Sequence, residues 1–216
     1  MGGYMSVNML IADDHPLFRA AMCHALGTLP DIQLLEASSY PETLQRLHAH
    51  PDVEMVFLDL TMPGTEGLNG LVEIQAQFPD VLVVIITAQE SPTIVEKAIA
   101  LGASGFIPKS ASVDCIIDAV ETVLEGNTWV PTAALLDNET QTHFCNEFSS
   151  KLKLLTPHQL KVLQMVADGL LNKQIAYELA ISESTVKQHV SAVLKKLGVI
   201  NRTKAGIAFK NAMLTN

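Results

Sequence analysis

Cysteine is scarce in this chain: Cys23, Cys115 and Cys145 are widely spaced, odd in number and form no CxxC pair. That leaves little for a disulfide framework, and they read as reduced, mostly packed thiols of a reducing compartment. No apolar run approaches the ~20 residues that a membrane helix needs. The opening Met-Gly-Gly-Tyr-Met-Ser also lacks the charged and apolar regions of a signal peptide. A cytoplasmic protein without a membrane partner is therefore expected. Internal repeats and low-complexity segments are missing too. Basic residues are nearly absent from positions 1–150, which hold four Lys or Arg against twenty Asp or Glu, a balance of −16. Positions 151–216 reverse this, with ten basic and three acidic residues, a balance of +7. A basic module on an acidic one suggests nucleic acid for the tail and cation or phosphate chemistry for the rest.

At 216 residues and 48% apolar, the chain has material for one large domain or two smaller ones. Its organising stretch is Met55-Val56-Phe57-Leu58-Asp59-Leu60-Thr61-Met62-Pro63-Gly64. A short continuous apolar run bounded by turn residues reads as a strand buried on both faces. Asp59 then stands at the strand's carboxyl end, where open α/β sheets bind ligands. Alone, Asp59 could simply cap a turn; its neighbours in the fold decide otherwise.

The spacing predicts strands at Val7 to Ala12, Ile32 to Ala37, through Asp59, Val81 to Ile86 and Gly105 to Ile107. Helices are predicted at Pro16 to Leu26, Tyr40 to Ala49, Leu68 to Phe78, Pro92 to Leu101 and Val113 to Glu125. In the third helix, Leu68, Leu71, Val72 and Ile74 are expected to face inward. Alternation of this kind gives a doubly wound five-stranded parallel sheet covered on both faces. A short helix is expected at 132–136 and a polar, aperiodic linker at 138–150. The tail is helical, with a capping box at Thr156 to Gln159 and a stripe of Leu160, Leu163, Val166 and Ala167. Asn172 to Leu179 and Glu183 to Leu197 are joined by Ala180-Ile181-Ser182, which makes a helix-turn-helix. A final helix follows Asn201.

Four of the five strands are followed by a candidate functional residue: Asp13 and Asp14, Asp59, Thr87 and Lys109. All converge on one sheet edge. Clustered carboxylates repel one another unless a cation sits among them, and hard oxygen ligands with open water positions suit Mg²⁺. Asp14 and Asp59 could bind it directly, with Asp13 acting through water. Thr87 and Lys109 suit a phosphoryl oxygen. Each residue alone is more often a turn, a strand-end hydroxyl or a surface lysine. Together, in order, they form a phosphoryl-accepting aspartate site.

Asp13-Asp14, Asp59 to Gly64, Thr87-Ala88 and Gly105-Phe106-Ile107-Pro108-Lys109 resemble the receiver domain of two-component response regulators. Leu155-Thr156-Pro157, Gly169-Leu170, Asn172-Lys173, Ile175-Ala176, Thr185 to Val190 and Leu194 to Thr203 resemble the LuxR-type output domain. Together they cover nearly the whole chain and resemble the NarL/FixJ type. The resemblance implies a flavodoxin-like receiver at 5–126, a linker at 127–152 and a small all-α helix-turn-helix domain at 153–216. It further implies Asp59 as phosphoacceptor, Mg²⁺ held by Asp13, Asp14, Asp59 and the Thr61 carbonyl, and Lys109 as phosphate partner. Thr87 and Phe106 would be a switch pair, with Phe106 turning into space left beside Thr87. A sensor histidine kinase and a homodimer on double-stranded DNA are the implied partners, and no enzymatic turnover is expected. The chain departs from the pattern at Ala180, where Gly, Asn or Asp is usual; a left-handed Ala there costs roughly 1 kcal/mol. Leu171 replaces a capping Ser, with Asn172 a substitute cap, and His158-Gln159 replaces Arg-Glu.

In a helix-turn-helix the first turns of the second helix meet the bases. Lys187, Gln188 and Ser191 are placed to reach base edges, and Thr185, His189, Lys195 and Arg202 to serve phosphates. Two other readings compete. An aspartate-nucleophile phosphatase usually carries a second Asp two residues on, where this chain has Thr61. A phosphorylation-independent interaction adaptor would keep the receiver fold without using Asp59.

Overall fold

The computed structural model describes residues 6–131, 148 and 151–214. The helix expected at 132–136 and nearly all of the linker at 138–150, Cys145 included, lie outside the described residues. The chain alternates β1 (Val7–Ala12), α1 (Pro16–Leu26), β2 (Ile32–Ala37), α2 (Tyr40–Ala49), β3 (Val53–Asp59), α3 (Asn69–Gln77), β4 (Leu82–Thr87), α4 (Pro92–Ala100), β5 (Gly105–Pro108) and α5 (Val113–Leu124). The strands pair in parallel in the order β2-β1-β3-β4-β5, so the sheet is doubly wound around β3. Every residue of β3 is buried, as a strand covered on both faces requires. Val56 and Leu58 join one core layer with Leu71 and Ile74 of α3 and Val95 of α4. Met55 and Phe57 join the other, with Met22 of α1 and Val120 of α5.

One irregularity matters later. Asn8 pairs with Val53 but Met9 pairs with Met55, so Glu54 is an extra residue in β3. Such a bulge bends the strand and re-aims a side chain. Glu54 is only 5% exposed although charged.

The tail contains α6 (Pro157–Ala167), α7 (Asn172–Leu179), α8 (Glu183–Leu197) and α9 (Arg202–Leu214). Thr156 and Gln159 form the expected capping box. Leu163, Val166, Ile175, Val186, Val190, Leu194 and Phe209 make a separate core. Two inward assignments need correction. Val72 is 46% and Leu160 39% exposed. In α3 the buried face runs through Leu71, Ile74 and Gln75, and in α6 through Val162, Leu163, Val166 and Ala167. A neighbouring residue lies ~100° around the helix, enough to leave that face.

The two parts are packed together, and among the described residues their hydrogen bonds lie at the amino-terminal edge of the sheet and at the end of α5. Lys173 donates to the Ser6 carbonyl before β1 at 2.5 Å. Asn172 donates to Asp80 Oδ2 before β4 at 2.8 Å, and the Arg202 amide to the Pro79 carbonyl at 3.1 Å. Asn201 reaches the Gly102 carbonyl at 2.7 Å, and the Ser104 and Thr203 hydroxyls meet at 2.8 Å before β5. Gly169 follows α6 with φ +87°, and a Cβ there would stand 2.5 Å from the Glu125 carbonyl carbon. Only glycine allows the two backbones so close.

Leu171 caps α7 with its backbone alone, and Asn172 is diverted to Asp80 rather than capping. The turn after α7 is made by Ala180 at φ 52°, ψ 42°, in the left-handed region. Ala180→Gly is therefore expected to raise the unfolding free energy of the tail by ~0.5–1 kcal/mol. Urea denaturation followed by helical circular dichroism reads it, and an unchanged or lowered stability would show the turn to be unstrained.

Candidate functional site

The carboxyl ends of β1, β3, β4 and β5 bring the expected residues together. Asp59 is fully buried at the end of β3. Its Oδ1 accepts from the Thr61 amide at 3.2 Å, and its Oδ2 from the Thr61 hydroxyl at 2.9 Å. Lys109, one residue past β5, donates to Asp59 Oδ2 at 2.8 Å and lies 2.7 Å from Asp13 Oδ2. Its ammonium also sits 5.0 Å from the centre of the Phe18 ring. Burial pulls the Lys109 ammonium down, but the paired carboxylates Asp13 and Asp59 outweigh it and hold the group above its usual range. Arg19 fixes the pocket from behind by donating to the Asp13 carbonyl at 2.7 Å.

Ligand atoms of Asp13, Asp14, His15 and Asp59 lie within 4.8 Å of one another. Asp13 Oδ2 and Asp14 Oδ1 are buried without a hydrogen bond; each has a close charge contact (Lys109 and His15, both at 2.7 Å) but not a bonding angle. A concentration of hard oxygens with unused lone pairs fits a divalent cation. Thr87 is fully buried and its hydroxyl accepts from the Gln89 amide at 3.2 Å. Phe106 is fully buried as well, in the core layer of Val83, Ile85 and Val95.

The reading helix is only partly free. Gln188, Ser191 and Lys195 are exposed, while Thr185 and His189 are half-buried. Lys187 is engaged with the sheet: its ammonium donates to the Pro51 carbonyl and lies 3.3 Å from Asp80 Oδ2. Arg202 departs from expectation. It is 4% exposed, with its guanidinium bonded to the Leu170 carbonyl at 2.6 Å and Asn172 Oδ1 at 3.4 Å. In this packed arrangement it is turned into the interior rather than toward solvent. Burial lowers its pKa, partly offset by Asp80 and Glu54. The sequence reading missed His15, Glu54 and Asp80. A signal for Glu54 was available, since it is the single charge before Asp59 in an otherwise apolar strand.

Family comparison agrees with both halves. Residues 9–121 match the response regulator receiver domain, and residues 153–208 match the bacterial regulatory proteins of the luxR family. The chain is a two-component response regulator. It is 40% identical over 203 residues to a glycerol metabolism activator of Pseudomonas putida, covering 91% of this chain and 92% of that one. It is 29% identical over 214 residues to the nitrate/nitrite response regulator NarL of Escherichia coli, covering 96% of each. A solved structure of the Salmonella typhimurium RcsB response regulator matches with a TM-score of 0.57 at 24% identity, over 98% of this chain and 99% of that one. That likeness speaks for the fold alone. Response regulators of this kind are DNA-binding transcription regulators. Among the regulator's described residues, no helix is long and apolar enough to cross a membrane.

The regulator buries a titratable group between its two parts. Neither Glu54 oxygen has a well-formed hydrogen bond, although the Lys173 amide and ammonium approach it, the latter at 3.8 Å. Burial pushes the carboxyl up to about 7, opposed by Lys173 and Arg202 and helped by Glu183. The folded, packed state therefore holds the proton more tightly than a solvated carboxyl with its ordinary value of 4.5. Glu54's contribution is fully present below 4.5 and is lost as pH rises through about 7. It amounts to at most ~3 kcal/mol. Calorimetric melting between these limits is expected to show stability falling with pH in the wild type and a flatter profile in Glu54→Gln. Parallel profiles would remove Glu54 from the linkage.

Proposed function

We propose that a receiver at 5–126, a linker at 127–152 and an output module at 153–216 form a transcription regulator switched by phosphorylation of Asp59. The observation that carries this is Lys109 bridging Asp13 and Asp59 at the pocket floor. Asp13, Asp14, Asp59 and the Thr61 carbonyl would hold Mg²⁺. Bound there, the ion offsets carboxylate repulsion and the charge of an incoming phosphoryl group. An Asp59 oxygen attacks phosphorus in line; the bond from phosphorus to the donor's leaving nitrogen breaks, and that nitrogen keeps the electron pair and takes up a proton. The donor is the phosphohistidine of a sensor kinase. Lys109 then releases Asp59 Oδ2 and pairs with the phosphoryl oxygens, joined by the Thr87 hydroxyl. The site is regulatory, with one transfer per activation and no turnover of a small substrate.

The packed arrangement supports a further element of this reading. Lys187, expected to read bases, is held by Pro51 and Asp80. Receiver and DNA compete for the same ammonium. The free output surface would use Gln188 and Ser191 on bases and Thr185, His189 and Lys195 on phosphates, as a homodimer on paired half-sites. A DNA-bound RcsB structure has been solved, which agrees with that use of a related fold.

Asp59→Asn is expected to abolish labelling by acetyl phosphate, read by phosphate-affinity electrophoresis. Label persisting on Asp13 or Asp14 would refute the assignment. Asp80→Ala removes partners of Asn172 and Lys187, and should raise the DNA affinity of the unphosphorylated protein by roughly 5–30-fold, or 1–2 kcal/mol. Unchanged affinity would mean that the packed form does not restrain binding. Gln188→Ala should cost ~1–3 kcal/mol on the preferred site only, whereas Lys195→Ala should weaken all sequences alike. Equal losses on target and random DNA would exclude Gln188 from base reading.

A further inference from the structure

Arg19 stands behind the acidic pocket and contributes none of its donor atoms. Its guanidinium is anchored at two ends: Nη1 donates to the Asp13 carbonyl at 2.7 Å, and Nε donates to Glu36 Oε2 on β2 at 3.1 Å. The backbone of the same residue holds the turn a second time, since the Arg19 amide donates to the His15 carbonyl at 3.0 Å. Asp13 is also tied to the end of β2, its amide donating to the Ala37 carbonyl at 3.0 Å. The turn that carries Asp13, Asp14 and His15 is thus clamped between β2 and α1. The Arg19 side chain is 17% exposed, against 53% for Glu36. An ion pair so open at one end contributes little by itself. Its effect is to aim the rigid guanidinium fork, so that the remaining donor stays on Asp13.

A clamp matters at this place because the carboxylates repel one another. Asp13, Asp14 and Asp59 put ligand oxygens within 4.8 Å of each other. Lys109 offsets that repulsion directly, by pairing with the carboxylates of Asp13 and Asp59. Arg19 acts one step back, on the backbone from which Asp13 projects. The two cations therefore fare differently when a phosphoryl group arrives. Lys109 is drawn to the phosphoryl oxygens and withdraws from Asp13. Both partners of Arg19, a backbone carbonyl and Glu36, take no part in the transfer.

We propose that Arg19 is a positioning residue of the pocket, holding the turn after β1 so that Asp13 and Asp14 present their oxygens to Mg²⁺ both before and after Lys109 leaves them. This rests on the reading of the pocket as a Mg²⁺-dependent phosphoacceptor site. Asp13 is 1% exposed, so without Arg19 its carbonyl loses a partner inside the protein. An unpaired buried carbonyl is costly, and the turn relieves that cost by swinging toward water. The carboxylates it carries move with it. A small ion that demands near-ideal octahedral geometry binds less well to ligands that must first be gathered. Arg19 touches neither the ion nor the phosphoryl group. Its loss therefore falls on binding of the ion and spares the transfer once the site is filled.

The test uses the full chain and two independent readouts. Calorimetric titration with Mg²⁺ alone, in the absence of a phosphoryl donor, should give an affinity about tenfold lower in Arg19→Gln than in wild type, ~1.4 kcal/mol. Labelling by acetyl phosphate should then need about tenfold more Mg²⁺ for its half-maximal rate, while the rate at saturating Mg²⁺ stays within about twofold of wild type. Arg19→Lys keeps the charge and a donor for the Asp13 carbonyl but loses the fork to Glu36, so its Mg²⁺ affinity should fall between the two. Glu36→Gln alters only the exposed end of the clamp, leaves the fold intact and should lower the affinity about threefold. Wild-type Mg²⁺ affinity in both Arg19→Lys and Glu36→Gln would overturn the positioning role and leave the phosphoacceptor site standing. A lower saturating rate and melting temperature in Arg19→Gln, with no shift in its Mg²⁺ dependence, would overturn it as well and make Arg19 a residue of general stability. A wild type that binds no Mg²⁺, or that is labelled equally well in chelator, would overturn the site reading and this proposal with it.

Discussion

Parallel pairing imposes one constraint on which everything else in this molecule depends: all strand carboxyl ends share an edge, and all amino ends share the opposite one. Asp13, Asp59, Thr87 and Lys109 gather at the first edge because each ends or follows its strand. Ser6, Pro51, Asp80 and Ser104 gather at the second because each precedes one, and there the output module sits. The seven residues of β3 separate the two edges by about 20 Å. Chemistry at one edge therefore reaches the other only through the sheet and its helices, which must have two arrangements of similar free energy.

The seam between the parts buries charge. Glu54, Arg202 and Asp80 converge, with Lys173 and Lys187 at the rim. Buried charges stabilise little in net terms, because desolvation offsets their attraction, but losing one partner is costly. Such a seam specifies one docking geometry without making it very stable. That suits the opening on DNA binding proposed above. The glycine pair at Gly126 and Gly169, whose backbones nearly touch, fixes the geometry from the other side.

The doubly wound sheet and its acidic edge were legible because they rest on local patterns: the apolar run into Asp59, strands of matching length, and carboxylates at or after their ends. The left-handed Ala180 was signalled only through the family resemblance, which usually has Gly, Asn or Asp there. What escaped depends on contacts between parts distant in the chain. Arg202 reads locally as a surface cation at a helix start, yet packing against β4 and α7 buries it. Lys187 belongs to a basic helix face by sequence, and its engagement with Asp80 follows from docking alone. Val72 and Leu160 sit at the margin of a helical stripe, where periodicity resolves no better than one residue.

Lys187 also gives the molecule two opposed responses to ionic strength. Salt screens phosphate contacts, so binding to any DNA weakens as it rises. The same screening loosens the Lys187 contact with Asp80, which is partly exposed to solvent, and so enlarges the fraction of molecules able to bind at all. Apparent affinity is the intrinsic affinity multiplied by that fraction. On the masking proposed above, the full chain's salt slope would be shallower than the number of phosphates it touches, and the difference from the isolated output module would reflect the charge held in the seam.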